Sequence, residues 1–236
     1  MEANLKKTII VDFYGLPGSG KSTVSHAFSD ALKQKGYCVE EPTYMLDHKT
    51  SPIKRKALKM FRTAIYLIWQ RENSTAIALN IWNAEKKSFS RWLSQYVNIS
   101  NKLFCLKRLM GKCDYIVFDE GMIQSILSVS FDSETAEDEI KNISQLYEFD
   151  ELKVFVSVPQ EIALERIIKR NEKNAMVERI GDTSAQLKML EKMRILYQLV
   201  NPDIILNGIN SIESQVHDLV SFIQDELAQE KVDCPT

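Results

Sequence analysis

Glycine is scarce in this chain, 8 in 236 residues, yet Gly15, Gly18 and Gly20 fall within six consecutive positions. Proline is scarcer still, at 6, which excludes collagen-like and linker-type composition. No apolar run approaches the roughly 20 residues that a membrane-spanning helix needs, and the opening MEANLKK lacks a signal-peptide core. The 4 cysteines form no C-x-x-C pair and only 3 histidines accompany them, which argues against a zinc centre. A formal net charge of −2 gives no electrostatic footprint for nucleic acid. The expectation is a reduced, cytoplasmic protein without a membrane or nucleic-acid partner. Composition does not fix the oligomeric state; a homodimer is carried as one expectation.

Against these absences stands one stretch, residues 8–23, TIIVDFYGLPGSGKST. Its first seven residues form a β-branched and aromatic run of the kind that makes a buried parallel strand. The run leads directly into Gly15-Leu16-Pro17-Gly18-Ser19-Gly20-Lys21-Ser22-Thr23, a full match to G-x-x-x-x-G-K-[ST] in its required context. The glycines permit backbone conformations closed to other residues, so successive N–H groups turn toward one anion. The helix that follows adds the positive end of its dipole. Lys21 would reach the β- and γ-phosphates of ATP, and the Ser22 hydroxyl would hold Mg²⁺.

Farther along, residues 37–40 read as a short second strand ending at Glu40-Glu41-Pro42. Ligands of open parallel sheets collect beyond the carboxyl ends of strands, which makes Glu41 a candidate acid at the acceptor side. Residues 51–111 are helical throughout and too long for one crossover, an insertion covering the acceptor side. Its Ile53, Met60, Phe61, Leu67 and Ile68 are expected to face inward, and Lys54, Arg55, Lys56, Lys59 and Arg62 to form a solvated face, with Arg62 or Arg71 as the other candidate to reach a phosphate. Trp69, Trp82 and Trp92 are expected in packing, with stacking on a planar ligand as the other use.

The second strong signal is residues 114–121, DYIVFDEG, an apolar strand ending in acid. With a P-loop about a hundred residues upstream, Asp119 is the expected Mg²⁺ carboxylate and Glu120 a second candidate catalytic acid. Gln124 and Ser125 follow at a helix start and would face the same cleft. Residues 152–158 form another buried strand, after which Pro159 opens a helix carrying Arg166 and Arg170. Residues 171–182 break the apolar period and carry Lys173 and Arg179, a candidate lid. A last short strand over 203–206 leads into the Asn207-Gly208 turn and a closing helix.

Five strands alternating with helices, with the P-loop on the first, resemble the P-loop nucleoside and nucleotide kinases, the thymidylate kinase and deoxynucleoside kinase group. The resemblance rests on GLPGSGKST, the strand ending at Asp119 and VPQEIALERIIKR at 158–170. It implies a single three-layer α/β P-loop NTPase domain over 1–236, with a five-stranded parallel sheet in the order 2-3-1-4-5. It also implies Arg166 and Arg170 at the triphosphate and Asn207-Gly208 against the adenine. Two departures matter. Thymidylate kinases carry arginines where this chain has Glu40 and Glu120, and deoxynucleoside kinases also carry an arginine at the second of these places. Glu-Pro after the second strand is similar to deoxynucleoside kinases, in which that glutamate acts as base on a sugar hydroxyl, a role it implies for Glu41.

These readings favour transfer of the γ-phosphoryl group of ATP to a nucleoside-like hydroxyl. Three alternatives remain: a nucleoside monophosphate acceptor, a P-loop ATPase acting as a switch, for which Asp119-Glu120 would be the hydrolytic pair, and a non-enzymatic nucleotide-binding scaffold.

Overall fold

The computed structural model describes residues 7–84, 88–132, 138, 140, 141, 143, 150–170, 177 and 182–232. Strand β1 (Ile9–Gly15) lies at the centre of a five-stranded sheet. β2 (Val39–Glu40), β3 (Tyr115–Phe118), β4 (Glu151–Ser157) and β5 (Ile204–Asn207) complete it in the order β2-β3-β1-β4-β5. Every pairing is parallel, with Val11 opposite Val117 on one side and Leu152 on the other. This is the expected order. It gathers the carboxyl ends of β1, β3 and β4 at one edge, where a doubly wound sheet offers its crevice.

Buried side chains on both faces explain why β1 and β3 read as nearly continuous apolar runs. On one face, α1 (Lys21–Gln34) packs Val24, Phe28 and Leu32 against Phe13, Val117 and Val156. The closing helix, α9 (Ile212–Val232), adds Leu219 and Ile223 to this cluster. On the other face, α5 (Phe89–Leu109) and α6 (Met122–Val129) bury Ile99, Leu103, Met122 and Ile126 against Ile10, Ile116 and Phe118. A third cluster joins Tyr14 and Leu16 to α7 (Gln160–Arg170) and α8 (Thr183–Tyr197), through Leu164, Ile167, Leu190 and Tyr197.

The insertion resolves into α3 (Pro52–Trp69), α4 (Arg71–Ala84) and α5, preceded by α2 (Pro42–His48), a helix not anticipated from the sequence. Pro42 at its first turn suits a helix start, because the missing N–H would have had no partner there.

α3 corrects the expected facing. Its buried residues are Thr63 and Tyr66, whereas Ile53, Met60, Phe61, Leu67 and Ile68 are exposed. The polar face turns inward onto α5: Lys59 Nζ donates to Asn98 Oδ1 at 3.2 Å and Arg62 to Asn101 Oδ1 at 3.4 Å. Thr63 Oγ1 reaches the Val97 carbonyl at 3.4 Å. Lys59 and Arg62 are therefore not part of a solvated face. Trp92 stacks on Tyr96 at 5.7 Å and donates its indole N–H to the Ala78 carbonyl, a packing role. Trp69 and Trp82 stay largely exposed. The candidate lid, apart from 177 and 182, lies outside the described residues, including Lys173 and Arg179. Among the described residues no helix is long and apolar enough to cross a membrane.

Candidate active site

The loop after β1 takes its shape from three glycines with positive φ: 153° at Gly15, 82° at Gly18 and 95° at Gly20. At Gly18 a Cβ would stand 2.4 Å from the Ala163 carbonyl oxygen, so the loop lies directly on α7 and tolerates no side chain there. α1 begins at Lys21 with Gly20 as N-cap, and among the described residues no side chain caps it. Its first N–H groups are thus left for a ligand, in the position where helix dipole and unsatisfied donors favour an anion. Ser19 Oγ is buried and has no partner among the described residues. It lies inside the loop, beside Gly15.

Around this loop opens a cavity of about 660 Å³, large enough for a nucleotide. Gly18, Gly20, Lys21, Ser22 and Thr23 line one wall. Glu120, Arg166 and Arg170 come to it from β3 and α7, together with Arg91 and Gln95 of α5. Gly15 and Ser19 shape the loop without lining the cavity.

Arg166 has a more specific task than its position suggests. Its guanidinium donates to the Gly18 carbonyl at 3.4 Å, to Ser19 at 3.2 Å and to Gly208 at 2.9 Å. It therefore ties the P-loop to the turn after β5. That turn is shaped by Asn207, whose Oδ1 accepts from Ile209 N at 3.1 Å, and by Gly208, whose N–H donates to the Ser157 carbonyl at 2.7 Å. Gln124 ties the other side: its Oε1 accepts from Gly15 N at 3.3 Å and its amide donates to Tyr197 Oη at 2.7 Å.

The end of β3 carries the two acids. Asp119 is buried, and its Oδ1 accepts a 2.6 Å hydrogen bond from Thr43 Oγ1 of α2. Glu120 reaches the P-loop lysine, with Lys21 Nζ 3.2 Å from Oε1. Desolvation works to raise the Glu120 carboxyl, but the ammonium groups of Lys21 and Lys102 outweigh it and hold it below the usual glutamate value. More than half of the Glu120 side chain is open to solvent (56%), whereas Lys21 is buried, so water screens the pair from one side only.

Glu41 goes elsewhere. It is buried, but its carboxylate accepts from Lys33 Nζ at 2.5 Å and pairs with His26 Nδ1 at 2.8 Å, both on α1. It lines neither this cavity nor the smaller one beside it. Glu-Pro led to the expectation of Glu41 at the acceptor side; here its carboxylate is engaged by α1. Two cationic or polar partners on α1 outcompete the open cleft for a carboxylate that burial has stripped of water.

Sequence reading passed over Lys102 and Asp12 and placed Lys59 on a solvated face. Lys102 of α5 is buried; its Nζ donates to the Gly121 carbonyl at 2.7 Å and to Ser125 Oγ at 2.6 Å. The visible signal was a lysine set among Ile99, Leu103 and Leu106 on a buried helix face. Lys59 gave no signal beyond its charge. Asp12 lies in the middle of β1, fully buried, with Oδ2 accepting from Ile123 N at 3.0 Å and Oδ1 without a partner among the described residues. It caps the start of α6 from below and leaves no room for a Cβ at Gly121.

A scan of protein-family models finds no match, and a search of curated proteins finds none either. Solved structures do match. Deoxyadenosine kinase from M. mycoides, with the products dCMP and dCDP bound, aligns with a TM-score of 0.54 at 14% identity, covering 92% of this chain and 100% of that one. The same protein with dATP bound gives the same score, identity and coverage. Shikimate kinase from Aquifex aeolicus aligns more loosely, with a TM-score of 0.46 at 17% identity over 93% and 98% of the two chains. At these identities the likeness speaks to architecture. Together with the sheet order, it shows that this chain has the fold of the P-loop kinases.

Proposed function

We propose that this protein is a kinase that transfers the γ-phosphoryl group of ATP to a hydroxyl of a small acceptor. The observation that carries the reading is the place of Glu120, on the wall shared by the nucleotide-sized cavity and the smaller polar cavity beside it. An acid between a phosphate cradle and a second pocket is where a base for an acceptor hydroxyl belongs.

ATP suits the larger cavity because Lys21, Arg166 and Arg170 line it beneath an uncapped helix start. Mg²⁺ suits Ser22 and Asp119, both hard oxygen donors. When bound, it would neutralise charge on the β- and γ-phosphate oxygens. In the transfer, the acceptor oxygen bonds to the γ-phosphorus while the bond from phosphorus to the bridging oxygen of ADP breaks. The hydroxyl proton passes to Glu120. Lys21 exchanges its pairing with Glu120 for one with the transferring group, which leaves the carboxylate available as base. Arg170 supplies positive charge from the opposite wall. Asn207-Gly208, held against the P-loop by Arg166, would flank the base of the nucleotide.

A nucleoside hydroxyl is the acceptor that the family resemblance implies. The ATPase reading draws on the Asp119-Glu120 pair. Turnover of Mg·ATP with and without a panel of hydroxyl acceptors separates them: the kinase reading expects ADP release that depends on acceptor and is lost in Lys21→Ala. Equal ADP release with and without acceptors would replace it by the ATPase reading.

A further inference from the structure

α3 is inverted for a surface helix. Its polar positions Lys59, Arg62 and Thr63 turn onto α5, where amide and carbonyl oxygens meet them. The outward stripe is apolar: Ile53, Ala57, Met60, Ala64 and Leu67 are all exposed, flanked by Phe61 and Ile68. Ile53 is 83% exposed, Ile68 77% and Phe61 63%. Single apolar residues on a surface need no explanation, but a stripe running the length of an 18-residue helix does.

The five stripe positions recur at intervals of 4, 3, 4 and 3 residues. That is the seam of a helix that pairs with another helix, narrower than the stripe that faces a globular core. Ala57 and Ala64 leave gaps along it in which side chains of a facing helix can seat, and they allow the two backbones a close approach. Met60 and Phe61 stand at its centre, with Ile53 and Ile68 equally far to either side. The stripe is therefore symmetric about its middle. Such a seam fits a two-fold interface, in which one patch meets its own copy. A lipid surface asks for neither the interval nor the symmetry.

Charge fixes the direction of that copy. Lys54, Arg55, Lys56, Lys59 and Arg62 all precede residue 63, residues 63–69 carry no charge, and the helix holds no acid. In a parallel pair the exposed Lys54 and Lys56 would lie beside their own duplicates and repel. In an antiparallel pair they lie over the uncharged half of the other helix. There the negative end of its dipole attracts them, and the opposite charges of Arg71 and Glu72 beyond it cancel. We infer that the protein self-associates through α3, two copies packing this helix antiparallel about a two-fold axis at Met60 and Phe61. Ile53 of one copy then meets Ile68 of the other, and Ala57 meets Ala64. The inference is independent of the kinase reading.

Light scattering coupled to gel filtration of the full chain, across a dilution series, is expected to reach twice the chain mass. Phe61→Glu and Ile68→Glu lie at exposed positions where the fold loses little. Each should weaken the dimer tenfold or more while far-ultraviolet circular dichroism stays unchanged. Direction is read by disulfide trapping with copper phenanthroline, in a background carrying Cys38→Ser and Cys234→Ser. Met60→Cys alone should cross-link, because that position faces its own copy near the axis. Ile53→Cys alone should not, since its two copies stand roughly 22 Å apart along the seam. Ile53→Cys combined with Ile68→Cys should cross-link again. A monomeric mass throughout overturns the inference, including the case in which phosphatidylserine vesicles bind the stripe instead. A dimer that persists in both glutamate variants overturns it, as does cross-linking of Ile53→Cys alone.

Discussion

Lys21 Nζ stands 3.2 Å from Glu120 Oε1, so the lysine of the phosphate loop is held by an acid from the neighbouring strand. The P-loop lies on β1 and Glu120 follows β3, which pairs with β1 from Ile9↔Tyr115 to Asp12↔Phe118. Parallel pairing therefore brings the two strand ends to one edge. Lys21 is buried and Glu120 more than half open, so the pair is part-buried, and a phosphate reaching the loop would compete with Glu120 for the lysine.

Glu120→Gln is expected to separate binding from chemistry. Removing the competing carboxylate should tighten binding of an ATP analogue, while loss of the base lowers acceptor phosphorylation by about 10²–10⁴-fold. Calorimetry for the analogue and kcat for the acceptor reaction check the two halves independently. Unchanged values of both would show Glu120 to be a bystander.

Arg166 holds Gly18, Ser19 and Gly208 through their carbonyl oxygens. Arg166→Lys keeps the charge but lacks the fork that spans three acceptors. It should raise KM for ATP by roughly tenfold, on the order of the 1–3 kcal/mol carried by charge-assisted bonds, with a smaller change in kcat. A wild-type KM in Arg166→Lys would mean that charge alone matters there.

Asp12 and Glu151 give stability a pH dependence of definite sign. Burial pushes the Asp12 carboxyl up to about 6, only partly offset by the Ile123 amide and Lys102. Burial, followed by the nearby Asp12, raises Glu151 as well. The folded protein therefore holds protons that the unfolded chain has already lost. This contribution to stability is complete below the unfolded carboxylate value near 3.8 and is lost as pH rises through about 6. Urea unfolding between pH 4 and 7 should show that decline superimposed on any other titration, and Asp12→Asn should flatten it. An equally steep decline in the variant would assign it to other groups.

Glu41 is expected to matter for folding more than for transfer. Glu41→Gln removes the charge that Lys33 and His26 share and should cost about 1–3 kcal/mol, read as a lower urea midpoint at unchanged m-value. Acceptor phosphorylation should stay within a few-fold of wild type. A loss of 10²-fold or more at full stability would return Glu41 to the reaction.

The sequence by itself determined the phosphate loop, the parallel sheet and the acid at the end of β3, because in each case one contiguous stretch sets both conformation and chemistry. Gly15 to Ser22 needs no distant partner to define its turn, and an apolar run ending in Asp119 carries its own strand signal. Tertiary structure alone decided where Glu41 points, which face of α3 turns inward and what meets beyond Glu120. Periodicity shows which residues share a helix face; it does not show which face is covered when the space beneath is a polar cavity and not an oily core. Lys59 and Lys102 lie on separate helices some forty positions apart, and only the packing of α3 on α5 brings them to one pocket. Glu41 was drawn to α1 by Lys33 and His26, groups whose proximity depends on how α1 crosses the end of β2.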